Sequence, residues 1–267
     1  MRELLRLIRC EFAKLRRRPL YIVLAFTSIL IPLFCAIFLV KFDSSVDAVQ
    51  GLMSVLYQMS AFLLLIPALV VFASNLLFEE QDHDTLKNLL CVPVGKAALV
   101  LAKMFLLLAF SQAFMAAGGL ANLCILLIQG WEPVGFWKMF SIGIGLGFMM
   151  WAGAMPCILL VTALNKSYII SVIITFFYTA ANYLLATNNV FLTQDFGPNP
   201  GTFLPGPLAM RWFFQYLGQD SASGQITKLL EELSPYFVST GQAFAVTGLE
   251  AVLFLTLIAL VYKRQEN

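Results

Sequence analysis

The densest group of ionisable side chains is Glu79, Glu80, Asp82, His83 and Asp84. Carboxylates beside a histidine are the raw material of acid–base or metal chemistry. His83 is the only histidine in the chain, so the cluster lacks the nitrogen ligands a metal site needs. The five cysteines, Cys10, Cys35, Cys91, Cys124 and Cys157, form no CxxC pair and are read as small buried or reduced thiols. Neither HExxH nor GxSxG occurs. Gly95-Lys96 is followed by Ala97, and position 90 is Leu rather than Gly, so a phosphate-cradling GxxxxGK[ST] loop is missing. The expectation is no catalytic residue, no metal and no directly bound cofactor. A membrane-embedded enzyme is disfavoured for want of a polar catalytic cluster.

Two other sets of polar residues stand inside long apolar runs. Glu250 lies midway along the last run. An ionisable group at that depth costs about 2.5–3.5 kcal/mol on insertion scales, so it needs a partner, a proton or water. It is read either as a carboxylate facing a translocation path or as a protonated Glu bonded to a neighbouring helix. Ser171, Thr175, Tyr178, Thr179 and Asn182 recur at helical spacing and share one face. A polar stripe among apolar residues must face protein or water. Interhelical hydrogen bonding is one account. A substrate route or a dimer interface is the other.

These residues must be positioned by membrane-spanning helices. The chain has 267 residues, 60% hydrophobic and 12% charged, against about 25% charged in ordinary soluble domains. The charges sit in islands between long uncharged runs. The first run, Leu20 to Val40, would make a helix of roughly 31 Å, one hydrocarbon thickness. It exceeds the h-region of a cleaved signal peptide and is read as a retained helix. The predicted fold is all-α and polytopic, a single domain over 1–267. Six spans are placed at about 20–40, 52–78, 100–128, 139–164, 168–192 and 238–262.

Orientation follows from the basic residues, which mark the cytoplasmic side. Thirteen of the 17 Lys and Arg fall on one set of segments, 1–19, 79–103, Lys166 and 263–267. The other set holds Lys41, Lys138, Arg211 and Lys228. Both termini are therefore expected in the cytoplasm. The net charge of +2 is only this bias and suggests no nucleic-acid partner.

Residues 1–19 read as an amphipathic elbow helix. Leu4, Leu5, Ile8, Phe12 and Leu15 form its apolar stripe, flanked by Arg2, Arg6, Arg9, Arg16, Arg17 and Arg18. Such a helix lies along the lipid bilayer with its arginines at the headgroups. It is read as an anchor and, more sharply, as an element that transmits motion. In 79–96, Asp82 or Asp84 suits an N-cap, and Pro93-Val94-Gly95 stops the short helix that follows. That helix offers Leu86, Leu89 and Leu90 to a protein partner or to the bilayer surface. The connection 194–235 is the long outer one. Its Gly197 to Pro207 stretch is rich in turn signals, and Trp212, Phe213, Phe214 and Tyr216 suit an interfacial or re-entrant helix, or an aromatic belt. A second short surface helix is expected at 223–233. Gly143 and Gly147 fit a close-packing GxxxG in the fourth span, and Pro67 predicts a kink in the second.

This layout resembles the ABC transporter type-2 permeases. The stretch from Phe78 to Lys103, FEEQDHDTLKNLLCVPVGKAALVLAK, is similar to that family's acidic segment followed by TLK, LL and P with a later lysine. Asp84 stands where the family usually has Gly. The resemblance implies that 79–94 includes a coupling helix docking on a separate ATP-binding cassette ATPase. Glu79, Glu80, Asp82, Asp84, Thr85, Leu86, Lys87, Leu89 and Leu90 would be the contacts. It implies two permease subunits, related or identical, and two ATPase subunits that bind ATP and Mg. Length and the segment EFAKLRRRPLYIVL look like the lantibiotic-immunity and bacitracin-resistance permeases. Those remove peptide antibiotics from the bacterial cytoplasmic (inner) membrane. The expected function is thus an exporter permease, with a non-transporting scaffold or sensor partner, or a permease for another lipid or drug, as alternatives.

Overall fold

The structure, a computed structural model, describes residues 2–15, 26–30, 33–34, 44–82, 96–164, 168–217 and 230–264. Every regular element among them is helical. They are α1 (Arg2–Leu15), α2 (Ser45–Val55), a π-helical stretch (Leu56–Leu65), α3 (Ile66–Asp82), α4 (Lys96–Ile128), α5 (Phe136–Leu164) and α6 (Tyr168–Ala186). Beyond α6 come α7 (Asn189–Leu192), α8 (Pro200–Phe203), α9 (Pro205–Phe214), a 3-10 turn (Ser234–Tyr236) and α10 (Thr240–Arg264). The expected first span is described only at 26–30 and 33–34. Arg16, Arg17, Arg18 and most of 223–233 lie outside the described residues.

Four stretches are long and apolar enough to cross a membrane: Ser45–Leu77, Ala97–Ile128, Phe136–Leu164 and Thr240–Arg264. Their ends differ from the sequence expectation for local reasons. The second span starts at Ser45 rather than 52, because Ser44 Oγ accepts the Asp47 amide at 3.2 Å and caps the helix. At its other end the helix continues through Asp82. Where Pro67 led us to expect a kink, the chain widens into π geometry over Leu56–Leu65, just before that proline. Proline lacks the amide that would bond one turn back, and π-turns in helices gather at functional sites.

The fifth span is shorter than 168–192. α6 stops at Ala186, and α7 is a separate turn capped by Asn188, whose Oδ1 accepts from the Val190 amide at 2.9 Å. The α4–α5 corner is closed by Gly130 at φ +78°. The Trp131 amide reaches Leu126 O and the Gly130 amide reaches Leu127 O, the paired bonds of a Schellman stop.

The core is built around α5, which packs against α3, α4, α6, α9 and α10. Its glycines allow this on several sides. A Cβ at Gly143 would lie 2.8 Å from the Tyr57 ring, and one at Gly145 would lie 2.7 Å from Trp212. A Cβ at Gly147 would lie 3.0 Å from Met115. Polar bonds lock the neighbours in antiparallel register. Asn122 Nδ2 donates to Leu52 O at 3.1 Å, Ser111 Oγ to Gly147 O at 2.6 Å, and Trp151 Nε1 to Met104 O at 3.0 Å. α1 packs along α4, with Glu11 buried and Arg6 and Arg9 exposed.

α9 is not a surface aromatic belt. Trp212 and Phe213 are buried, with Trp212 against Phe244 and Phe213 edge-on to Tyr57. Pro205, at its start, reaches Gly153 in the middle of α5. The helix therefore starts at mid-bundle and runs outward along α5, packed also on α6 and α10.

Candidate functional site

Three places in the bundle concentrate buried polar chemistry. The first joins the ends of three helices. Lys103 on α4 is fully buried, which lysine tolerates only with partners. Its Nζ donates to Leu76 O near the end of α3 at 2.5 Å and lies 5.9 Å from the Tyr262 ring centroid on α10. This puts the end of α3, the beginning of α4 and the end of α10 side by side.

The expected coupling residues fall at and after the end of α3. Glu79, Glu80 and Asp82 belong to the last turn of α3, with only their backbone described. Asp82 is the last residue of α3, and the helix expected after it lies outside the described residues. Asp84, Thr85, Leu86, Lys87, Leu89 and Leu90 lie outside the described residues.

The second place is the face of α6. Ser171, Thr175, Thr179 and Asn182 are all buried and Tyr178 is half-buried, whereas Ile173, Phe176 and Phe177 point outward. The helix is amphipathic in reverse, polar inward and apolar outward. Thr175 Oγ1 bonds back to Ser171 O at 2.7 Å and Thr175 lies against Cys157. Tyr178 Oη donates to Gly153 O at 2.5 Å. Asn182 Oδ1 accepts the Gly206 amide at 3.0 Å, which fastens α9 to α6. Asn182 Nδ2 and Thr179 Oγ1 are buried without a partner among the described residues. Glu250 on α10 comes within electrostatic reach of Tyr178 and is itself partly buried. Of the residues singled out inside the spans, Tyr178 and Glu250 are thus brought together from different helices.

The third place escaped the sequence reading. Arg211, counted there as a loop cation, is only 2% exposed. Its Nε donates to Tyr236 O at 2.8 Å and its Nη1 to Gly201 O at 3.1 Å. Burial lowers the guanidinium pKa below its ordinary value, and Asp195 opposes that shift. A guanidinium stays charged through such a change. Lys103, too, had been read only as a flanking charge. The available signal was a single cation inside an apolar run in each case.

Among the described residues no group of three His, Cys, Asp or Glu could hold a metal ion. Long apolar helices packed round a glycine-rich centre, with cations tied to backbone carbonyls, define a multi-pass helical membrane protein. A family model described as ABC-2 family transporter protein matches residues 7–182, from α1 into α6. The chain belongs to the ABC-2 transporter family. It is therefore a membrane component of an ABC transporter, a permease subunit that works with an ATP-binding cassette ATPase. No curated protein matches the chain.

Proposed function

We propose that this permease has six spans with both termini in the cytoplasm and expels antimicrobial peptides, of lantibiotic or bacitracin type, from a bacterial cytoplasmic membrane. Two permease chains, identical or related, would pair over two ATPase subunits that bind ATP and Mg. Residues 79–94 would dock on the ATPases. Closure of the ATPases would push that segment and α1, and rock one permease half against the other.

The observation that carries the coupling role is the contact of Lys103 with Leu76 O beside Tyr262. It supports a coupling in which α3, α4 and α10, tied together there, move as a unit when 79–94 is pushed. The buried polar face of α6 and Glu250 support a path or interface on that side of the bundle. The long connection after α6 supports an outer cap, in which α9 closes the space above α6.

The test is a mild-detergent pull-down of the chain from its native membrane, with copurifying proteins identified. A stoichiometric ATPase with a second, related permease makes the transporter heteromeric. An ATPase alone favours a homodimer. Recovery without an ATPase would sink the exporter reading and promote a scaffold or sensor partner. Substitution of Glu79, Glu80 or Leu86 should then uncouple peptide resistance from ATP hydrolysis. Full protection by such variants would remove 79–94 from the coupling role.

A further inference from the structure

Among the described residues α6 and α10 leave a gap over α5, a groove that α9 fills at its outer end. Both helices pack on α5, yet they hardly touch one another. Tyr178 stands on the α6 wall, its hydroxyl tied to Gly153 O at the groove floor. Pro205 of α9 also reaches Gly153 and closes one end. Glu250 stands on the α10 wall, on the border between buried Thr247 and Ala251 and outward-facing Leu249 and Val252. It sits about 15 Å along a 25-residue helix, well inside the span.

The charge balance of the groove is one-sided. Among the described residues no hydrogen bond and no cation reaches Glu250, and its one electrostatic neighbour is Tyr178. The two buried cations among the described residues are engaged elsewhere, Lys103 at Leu76 O and Arg211 at Gly201 O and Tyr236 O. A carboxyl group placed that deep without a counter-ion is costly, and the cost falls when a cation joins it, because opposite charges attract strongly away from water. Tyr178 adds a ring held in one orientation by its bond to Gly153, and an aromatic face attracts cations. Phe177 and Leu249, one residue before Tyr178 and Glu250 on their helices, add exposed apolar surface beside them.

We infer that the groove is a binding site for an amphipathic cation, an ammonium or guanidinium group on an apolar body, with Glu250 as counter-ion and Tyr178 as its aromatic neighbour. The inference rests on the permease reading and names the chemistry of the cargo. An apolar body would enter sideways from the bilayer, and its charge would find Glu250 at the depth where lipid offers no partner.

The experiment uses the purified permease, with its ATPase, in lipid nanodiscs. The probe is radiolabelled tetraphenylphosphonium, and the counter-probe is tetraphenylborate, of the same shape and opposite charge. Saturable phosphonium binding is expected, without saturable borate binding. Glu250→Gln should weaken phosphonium binding at least tenfold and Glu250→Asp less than threefold. Both variants must melt and retain the ATPase like the parent, which separates loss of the site from misfolding. Equal binding of the two ions, or unchanged affinity in Glu250→Gln, would overturn the proposal. So would a disulfide between two Glu250→Cys chains, since that places Glu250 against a second copy. Absent phosphonium binding in a complex that keeps its ATPase defeats the cation site and leaves the permease reading standing. If no ATPase copurifies, the permease reading fails, and the phosphonium–borate comparison on the chain alone still decides the site.

Discussion

Lys103 Nζ donates to the carbonyl of Leu76, 27 residues earlier in the chain, about two turns before α3 ends and two turns after α4 begins. The Leu76 carbonyl lies inside the helix, in register with the Glu80 amide, so the ammonium approaches the second lone pair of a helical acceptor. The buried lysine thus finds its acceptor on the flank of the neighbouring helix. Tyr262 covers the same ammonium from α10.

Removing that ammonium should be felt in stability. Lys103→Met leaves the stem in place and takes away the charged donor, a loss of about 1.5–3 kcal/mol. A lowered melting temperature in detergent, with partial recovery in Lys103→Arg, is the expected result. A Met variant that melts like the parent would make the contact dispensable.

The outer cap should depend on Arg211 in a geometric way. Its two bonds leave from different nitrogens toward Tyr236 O and Gly201 O. A lysine keeps the charge without the planar fork. Arg211→Lys should therefore destabilise nearly as much as Arg211→Met, by about 2–4 kcal/mol for a broken buried charge contact. Limited proteolysis of 187–239 is the direct readout, with cleavage rising at least tenfold in both variants.

Asn182 is the pin between α6 and α9. Asn182→Leu conserves volume but strands the Gly206 amide in a buried place, at a cost of about 1–3 kcal/mol. Hydrogen exchange should quicken in α9 and stay unchanged in α4. Equal protection of α9 in both proteins would show that apolar packing alone holds it.

Two glycines give opposite expectations for the same substitution. A Cβ at Gly145 would stand 2.7 Å from Trp212 and 3.0 Å from Phe244, both packed aromatic rings. Gly145→Ala should cost about 1–3 kcal/mol through overpacking. Nothing lies within 4 Å of a Cβ at Gly248. There the helix gains about 0.5–1 kcal/mol from a better helix former. Parallel thermal melts of the two variants decide it.

The helical class, the apolar stretches and the reverse amphipathicity of α6 were legible in the sequence. Each depends on local composition and on the 3.6-residue period, and none of the three needs long-range information. Gly143 and Gly147 were read as close-packing positions on the same grounds, and close approaches to Tyr57 and Met115 occupy them. The start at Ser44 was also encoded locally, but a capping serine is visible only once the helix end is known.

The chain alone did not reveal which polar groups meet. The spacing of Tyr178 and Asn182 fixes their shared face, while their partners Gly153 and Gly206 come from other helices. Nor did it show that α6 would stop at Ala186 with α9 packed against it, because that contact joins Asn182 to Gly206, 24 residues on. Lys103 and Arg211 look like boundary charges in one dimension and are buried in three. The sequence by itself determined which segments are apolar helices, since lipid forces every backbone group to bond within its own segment. Only the tertiary structure decided where the few charges go, since a buried charge is set by carbonyls and rings that arrive from distant parts of the chain.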